Sequence, residues 1–287
     1  MHVAFVGLGV MGYPMAGFLA DAGYEITVYN RTKGKAETWQ KVYGGAIADT
    51  PAGAAAGVDI VFCCVGDDPD VRAVILGDNG VLEGISDGAV VVDHTTASAT
   101  VAREVYQASK EKDVGFLDAP LSGGQAGAES GQLSIMVGGD IDVYERVLPI
   151  MQCYAKACTH IGPVGSGQLA KMANQICIAG LIQGLSEALH FVKCVDLNPA
   201  TVIGAISKGA AQSWQMENRW QTMISSEFDF GFAVEWMRKD LRIALEEADN
   251  NGAMLEITEL IDGFYKEVQE LGGNRWDTSS LIARLDK

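Results

Sequence analysis

The chain has 287 residues, 34 of them glycine, and a formal net charge of −16. That length can bury a large core and divide into two domains. The acidic balance argues against nucleic acid and anionic membrane as partners, and an anionic small ligand would need a local basic site.

Residues 2–6, His-Val-Ala-Phe-Val, form a short apolar run that predicts a first strand. Gly7-Leu8-Gly9-Val10-Met11-Gly12 follows, and then an amphipathic helical stretch closed by Gly23. Strand, GxGxxG and helix together are the context that the dinucleotide-binding fingerprint requires. Gly7 permits the tight turn, Gly9 lets a pyrophosphate approach the backbone, and Gly12 lets the helix pack on the strand. Free amides at the helix start would then face the phosphates.

The second strand, Glu25–Tyr29, runs into Asn30-Arg31-Thr32. A site specific for NAD usually places a carboxylate here for the ribose 2′-hydroxyl. Asn30 instead removes the charge that would repel a 2′-phosphate. Arg31 can fork onto that phosphate and the Thr32 hydroxyl can donate to it. NADP(H) is therefore the preferred cofactor, with NAD(H) possible; Lys33 and Lys35 add local positive charge.

Further apolar runs predict strands at 59–65, 90–93, 115–118 and 133–137, with helical segments such as Val101–Lys112 between them. This alternation means a mostly parallel, doubly wound sheet of Rossmann type. Ligands in such sheets sit beyond the carboxyl ends of the strands, where Val65-Gly66 and His94-Thr95-Thr96 fall. Each is also compatible with an ordinary loop. Asp118-Ala119-Pro120-Leu121-Ser122-Gly123-Gly124 is another strand end. Its hydroxyl and exposed amides could cradle a carboxylate, or form only a turn of small residues.

Glycines at 162, 165 and 167 open a long apolar stretch that runs to Asp196 without proline. Ser166 is the expected N-cap. The helix would span ~45 Å. Between Lys171 and Glu187 lie fifteen uncharged residues, too few and too polar for a membrane span and suited to a buried helix. Lys171 is the anomaly at its head. It must reach solvent, pair, or work with a lowered pKa, and it shares a face with Asn174 and Gln175. Past Gly165 only helices are expected: Pro199–Lys208, Ser213–Ile224, Val234–Asn250, Leu255–Gly272 and Ser279–Lys287. The chain thus divides into a dinucleotide-binding domain, 1–163, and an all-α domain, 164–287, that serves substrate binding and dimerisation and is led by the interdomain helix. A homodimer or homotetramer is expected, because so apolar a leading helix asks for a partner subunit.

Six cysteines (Cys63, Cys64, Cys153, Cys158, Cys177, Cys194) show neither CxxC nor Cys/His metal spacing. No metal is expected. The apolar opening runs straight into glycines rather than a cleavage site, so no signal peptide and a cytoplasmic location are expected.

With these residues placed, the chain resembles the β-hydroxyacid dehydrogenase family, whose members include 3-hydroxyisobutyrate dehydrogenase, tartronate semialdehyde reductase and the glyoxylate/succinic semialdehyde reductases. The likeness rests on Gly7–Gly12 with Pro14-Met15-Ala16, on Asp118–Gly124 through Gly131, on Gly167–Gln175, and on Phe228–Phe232 leading to Lys239-Asp240-Leu241. The resemblance implies that Lys171 is the catalytic acid/base and that Ser122, Gly123, Gly124 and Asn174 handle the substrate. It implies cofactor contacts from Thr96, Val65, Gly66 and Lys239. The substrate would be a small carboxylate-bearing hydroxyacid or semialdehyde. The related imine reductases usually lack a lysine at the position of Lys171, which weighs against that activity. A cofactor-binding redox sensor or interaction module without turnover is the reading of another class. It would not need Lys171, Asn174 and Ser122 together. Of the four histidines, His94 is the next proton carrier and is expected to face the cofactor.

Overall fold

The computed structural model describes residues 1–285. They fall into two compact units, Met1–Lys171 and a second beginning at Met172. The division lies inside the long helix, at whose glycine-rich head, near Pro163, the sequence places the domain boundary.

The first unit is built on one nine-stranded sheet. Its strands are β1 (His2–Val6), β2 (Glu25–Tyr29), β3 (Ala46–Ile47), β4 (Ile60–Cys63), β5 (Val90–Asp93), β6 (Gly115–Asp118), β7 (Leu121–Ser122), β8 (Leu133–Gly139) and β9 (Ala155–Gly162). The order is β3-β2-β1-β4-β5-β6-β8-β7, with β9 paired to β8. From β3 to β6 all pairs are parallel. β8 then runs antiparallel to β6 and β7, and β9 parallel to β8.

Period-two geometry sends alternate residues to opposite faces. Phe5, Val28, Phe62, Val90 and Val92 pack in the core on one face. Ala4, Val6, Val61, Cys63 and Val91 pack in that on the other. Strands buried on both sides read as continuous apolar runs, which is why β1, β4 and β5 are legible in the sequence. Strand order reverses between β1 and β4, so the switch point where doubly wound sheets bind ligands lies where the glycine loop leaves β1.

Three strands carry no such signal. β3 and β7 are two residues long, and β9 alternates exposed and partly buried residues, Lys156 and Thr159 among them.

The second unit is helical. Its segments are Pro199–Ile206, Trp214–Ser225, Val234–Asn251 and Glu256–Glu270, closed by a 3₁₀ helix at Thr278–Arg284. That 3₁₀ helix stands where a final helix, Ser279–Lys287, is expected; the last two residues of that span lie outside the described residues. Asn198 and Ser213 cap their helices by accepting from Thr201 N and Met216 N. The long helix, Ser166–Cys194, is long and apolar enough by composition to cross a membrane. Yet Ala179 and Ile182 pack against Val234, Leu241 and Tyr265, and Leu185 and Leu189 against Ile203 and Met223. It is a core helix of this unit.

Candidate functional site

Gly7 has a φ of +100°, and a Cβ there would strike the carbonyl of Cys64, the residue just after β4. A Cβ on Gly12 would strike the Gly7 carbonyl. Gly9 differs: nothing lies within 4 Å of the position its Cβ would take. Two of the three glycines therefore serve the protein's own packing, and the third leaves open space above the backbone. The helix Gly12–Asp21 has no side-chain cap at its start. Uncapped amides beside an empty Cβ position fit a pyrophosphate.

Asn30 does more than leave out a charge. Its Oδ1 accepts from Leu8 N at 2.9 Å and its Nδ2 donates to the Thr32 carbonyl at 3.0 Å. The amide therefore braces the glycine loop against the end of β2. Arg31 is exposed and donates to Asp70 Oδ1 at 3.1 Å. Thr32 precedes the helix Lys33–Tyr43, and its side chain makes no capping bond.

A chain of hydrogen bonds crosses the next three strand ends. Val65 N, after β4, donates to Thr95 Oγ1, after β5, at 3.0 Å. Gln168 Nε2 donates to the Thr95 carbonyl at 2.7 Å, while Ala97 N donates to Gln168 Oε1 at 3.0 Å. Asp118, the last residue of β6, accepts from Gly165 N at 2.7 Å and Gln168 N at 2.9 Å. A buried carboxylate thus caps the long helix from a strand end distant in sequence. Ser166, the N-cap expected from sequence, is instead the first helical residue. The cap comes from Asp118 because the helix start is pressed onto β6 and β8. A Cβ on Gly167 would lie 2.5 Å from the Asp118 carbonyl and 2.6 Å from that of Met136. Lys171 sits one turn beyond Gln168 and is buried, at 7% exposure.

Gly123 and Gly124 both have positive φ, 134° and 59°. They are exposed, after the half-buried Ser122, and no side chain of their own shields their backbone amides from an anion. The second unit carries the remaining expected residues. Asn174 Oδ1 is buried with no hydrogen-bond partner among the described residues. Gln175 Nε2 donates to Asp240 Oδ2 at 2.6 Å. Lys239 Nζ lies 3.1 Å from Asp240 Oδ1, an ion-pair distance without hydrogen-bond alignment, and 5.9 Å from the centroid of the Trp236 ring.

His94 does not face a cofactor. It is buried, stacked on Phe62, with Nδ1 2.6 Å from the Ala119 carbonyl and Nε2 2.9 Å from the Tyr154 hydroxyl. The carbonyl can only accept, so Nδ1 carries the proton and Nε2 accepts from Tyr154. Burial pulls its pKa down to about 4, against the bond to Ala119. It is a neutral core histidine and no proton carrier. Its place after a strand suggested otherwise because the side chain turns inward, toward the aromatic core. Burial also pushes the Asp118 carboxyl up to about 6, although the amides of Gly165, Gln168, Asp118 and Gly167 pull it down.

The two shifts have opposite consequences for stability. The unfolded chain protonates His94 first, so that contribution is lost as pH falls from 6.5 toward 4. The folded chain protonates Asp118 first, so its contribution is lost as pH rises from 3.8 through 6. Each is worth about 3 kcal/mol at most, and between pH 4 and 6 they offset one another. Urea unfolding of Asp118→Asn should therefore show stability rising with pH relative to wild type across that window. His94→Gln should show the reverse. Parallel pH curves for all three proteins would contradict both assignments.

A shallow concavity bounded by His2, Tyr24, Glu25 and Tyr43 lies at the amino ends of β1 and β2 and contains none of the expected site residues. Among the described residues no group of three His, Cys, Asp or Glu could hold a metal.

Asp118 and Gln168 are the residues whose roles sequence reasoning missed. The available signal was a glutamine standing in the first turn of an apolar helix, next to a glycine.

Comparison with known proteins agrees with this geometry. A family model for the NAD binding domain of 6-phosphogluconate dehydrogenase matches residues 2–162. One for the NAD-binding part of NADP-dependent 3-hydroxyisobutyrate dehydrogenase matches 165–285. An uncharacterized oxidoreductase of Shewanella frigidimarina is 59% identical, covering 99% of this chain and 98% of its own. The 2-hydroxy-3-oxopropionate reductase of Escherichia coli is 36% identical over 100% of this chain and 97% of its own. A solved structure of Mycobacterium tuberculosis 3-hydroxyisobutyrate dehydrogenase with L-serine superposes with a TM-score of 0.90 at 26% identity, covering 100% of both chains. With the glycine loop at the switch point and family matches along both units, this chain belongs to the β-hydroxyacid dehydrogenase family and is an NAD(P)-dependent dehydrogenase.

Proposed function

We propose that the enzyme interconverts a small 3-hydroxyacid and its semialdehyde, using NADP(H) in preference to NAD(H), with Lys171 as general acid/base. The observation that carries this is a buried lysine on a helix whose first turn is fixed to the ends of β5 and β6. The nicotinamide, when bound, supplies or accepts the hydride at the carbinol carbon. Lys171 Nζ gives its proton to the carbonyl oxygen as charge develops there, and in the other direction the neutral amine removes the hydroxyl proton. Ser122 and the amides of Gly123 and Gly124 hold the carboxylate of the substrate. Asn174, with its buried Oδ1 open to a donor, orients the substrate hydroxyl. Val65, Gly66, Thr96 and Lys239 complete the cofactor side. The name of the Escherichia coli relative supports a three-carbon semialdehyde acid as substrate, and that of the Mycobacterium tuberculosis neighbour a four-carbon one. Most of the dinucleotide-binding role belongs to 1–163, with Lys239 added from 164–287, and the substrate-side role to 164–287, with Ser122, Gly123 and Gly124 added from 1–163, in a cytoplasmic enzyme. Leu181 and Phe191, exposed on the long helix, support burial of that helix against a second copy of the chain.

The preference for NADP(H) rests on Arg31 and Thr32. Asp70 must release Arg31 before a 2′-phosphate can take it, and an exposed pair of this kind holds by about 1 kcal/mol or less. A charge-assisted fork onto phosphate contributes roughly 1.5–3 kcal/mol. Net of that release, about 0.5–3 kcal/mol remains, so Arg31→Ala should weaken NADPH binding by roughly 2- to 100-fold in a fluorescence titration and leave NADH about as before. Equal losses for both cofactors would show that Arg31 does not read the phosphate.

A further inference from the structure

Gln168 is 1% exposed and lies outside the groups assigned above to proton transfer or ligand contact. Its carboxamide grips the backbone on both sides of Thr96, donating to the carbonyl before it and accepting from the amide after it. A reversed amide would set donor against donor and acceptor against acceptor, so both bonds fix its orientation. Its own backbone N–H is held by Asp118 Oδ2. The Thr95 side chain carries the connection on to Val65. Lys171 follows three residues later, a neighbour on the same side of the helix.

We propose that Gln168 is a positioning residue that locks the lysine-bearing helix turn to the Thr95–Ala97 loop, so that the proton carrier and the cofactor-side loop hold one fixed relative geometry. The clamp has a chemical reason. A hydride and a proton must reach one carbonyl group within a fraction of an ångström of the productive arrangement, and the two come from different elements. A hydrogen bond to loop backbone fixes that arrangement whatever residue occupies position 96. The inference rests on the reading of Lys171 given above, but its test has an arm independent of that reading.

Gln168→Met keeps the length and apolar stem and removes both bonds. Hydrogen exchange of the unliganded protein should then speed up together in the 94–98 and 165–171 segments, by roughly tenfold for loss of two buried bonds. The kcat should fall by roughly tenfold or more, with a smaller change in NADPH affinity by fluorescence. Unchanged exchange, or a kcat within twofold of wild type, overturns the proposal. If exchange quickens in Gln168→Met but Lys171→Met remains active, the clamp stands and the lysine reading falls.

Gln168→Glu guards against simple misfolding. Its protonated carboxyl can reproduce both bonds, and its ionised form cannot donate to the Thr95 carbonyl. Burial beside Asp118 raises the pKa of the introduced group. The other charged groups nearby, Asp93, Asp118, Arg103 and Lys171, are common to variant and wild type. The ratio of variant to wild-type kcat should therefore rise as pH falls toward 5. A ratio flat with pH contradicts the clamp.

Discussion

Lys171→Met should fold, bind NADPH nearly as wild type does, and turn over at least ~10²-fold more slowly. Methionine retains most of the length and the helix propensity of lysine. What disappears is the proton. No other group described near the strand ends can replace it: His94 is neutral, buried and bonded at both nitrogens. Asp118 is engaged by helix amides. Steady-state kinetics alongside a cofactor titration separate the cases. Turnover within a few-fold of wild type would remove Lys171 from the mechanism, and no histidine stands ready to take its place.

Gly12→Ala should be comparably severe for a different reason. The added methyl would strike the Gly7 carbonyl and come within 2.9 Å of the Phe5 ring. Backbone and a packed aromatic cannot give way cheaply, so the first helix must lift from β1, at a cost of about 1–3 kcal/mol. The loop that receives the pyrophosphate is built from the displaced atoms. Cofactor affinity should fall by roughly a hundredfold or more, with a lowered Tm. Gly9→Ala is the contrasting case, since its methyl meets nothing in the protein. Its Tm without cofactor should match wild type while cofactor binding weakens, because the methyl occupies space the ligand needs. Calorimetric titration and thermal melts read both. A Gly12→Ala protein with normal affinity would refute this account of the loop.

The parallel half of the sheet is legible because its strands are buried on both faces and stand out as unbroken apolar runs. The glycine loop is legible because Gly7 and Gly12 answer steric needs of the protein that no other residue meets, and Gly9 leaves space at the spacing the fingerprint requires. β9 stays hidden, since its residues alternate between exposed and partly buried. The cap of the long helix stays hidden as well. Ser166 has the local chemistry of an N-cap, but Asp118, forty-seven residues upstream of Gly165, outcompetes it by tertiary contact. His94 shows the same limit in reverse: position after a strand end locates the backbone, and only packing decides which way the ring turns. The two-point grip of Gln168 on the Thr95–Ala97 loop depends on a contact more than seventy residues apart in sequence, beyond any local pattern.

On the proposed function, hydride passes directly between a nicotinamide and the carbonyl carbon of a small semialdehyde acid. The most direct test of this transfer is to supply NADPH doubly deuterated at C4 with a panel of three- and four-carbon semialdehyde acids and to analyse the products by mass spectrometry and proton NMR. One deuterium is expected on the new carbinol carbon of at least one substrate, with a primary isotope effect on the single-turnover rate. Cofactor bound without oxidation across the panel, or a reduced product carrying no deuterium at that carbon, would contradict it.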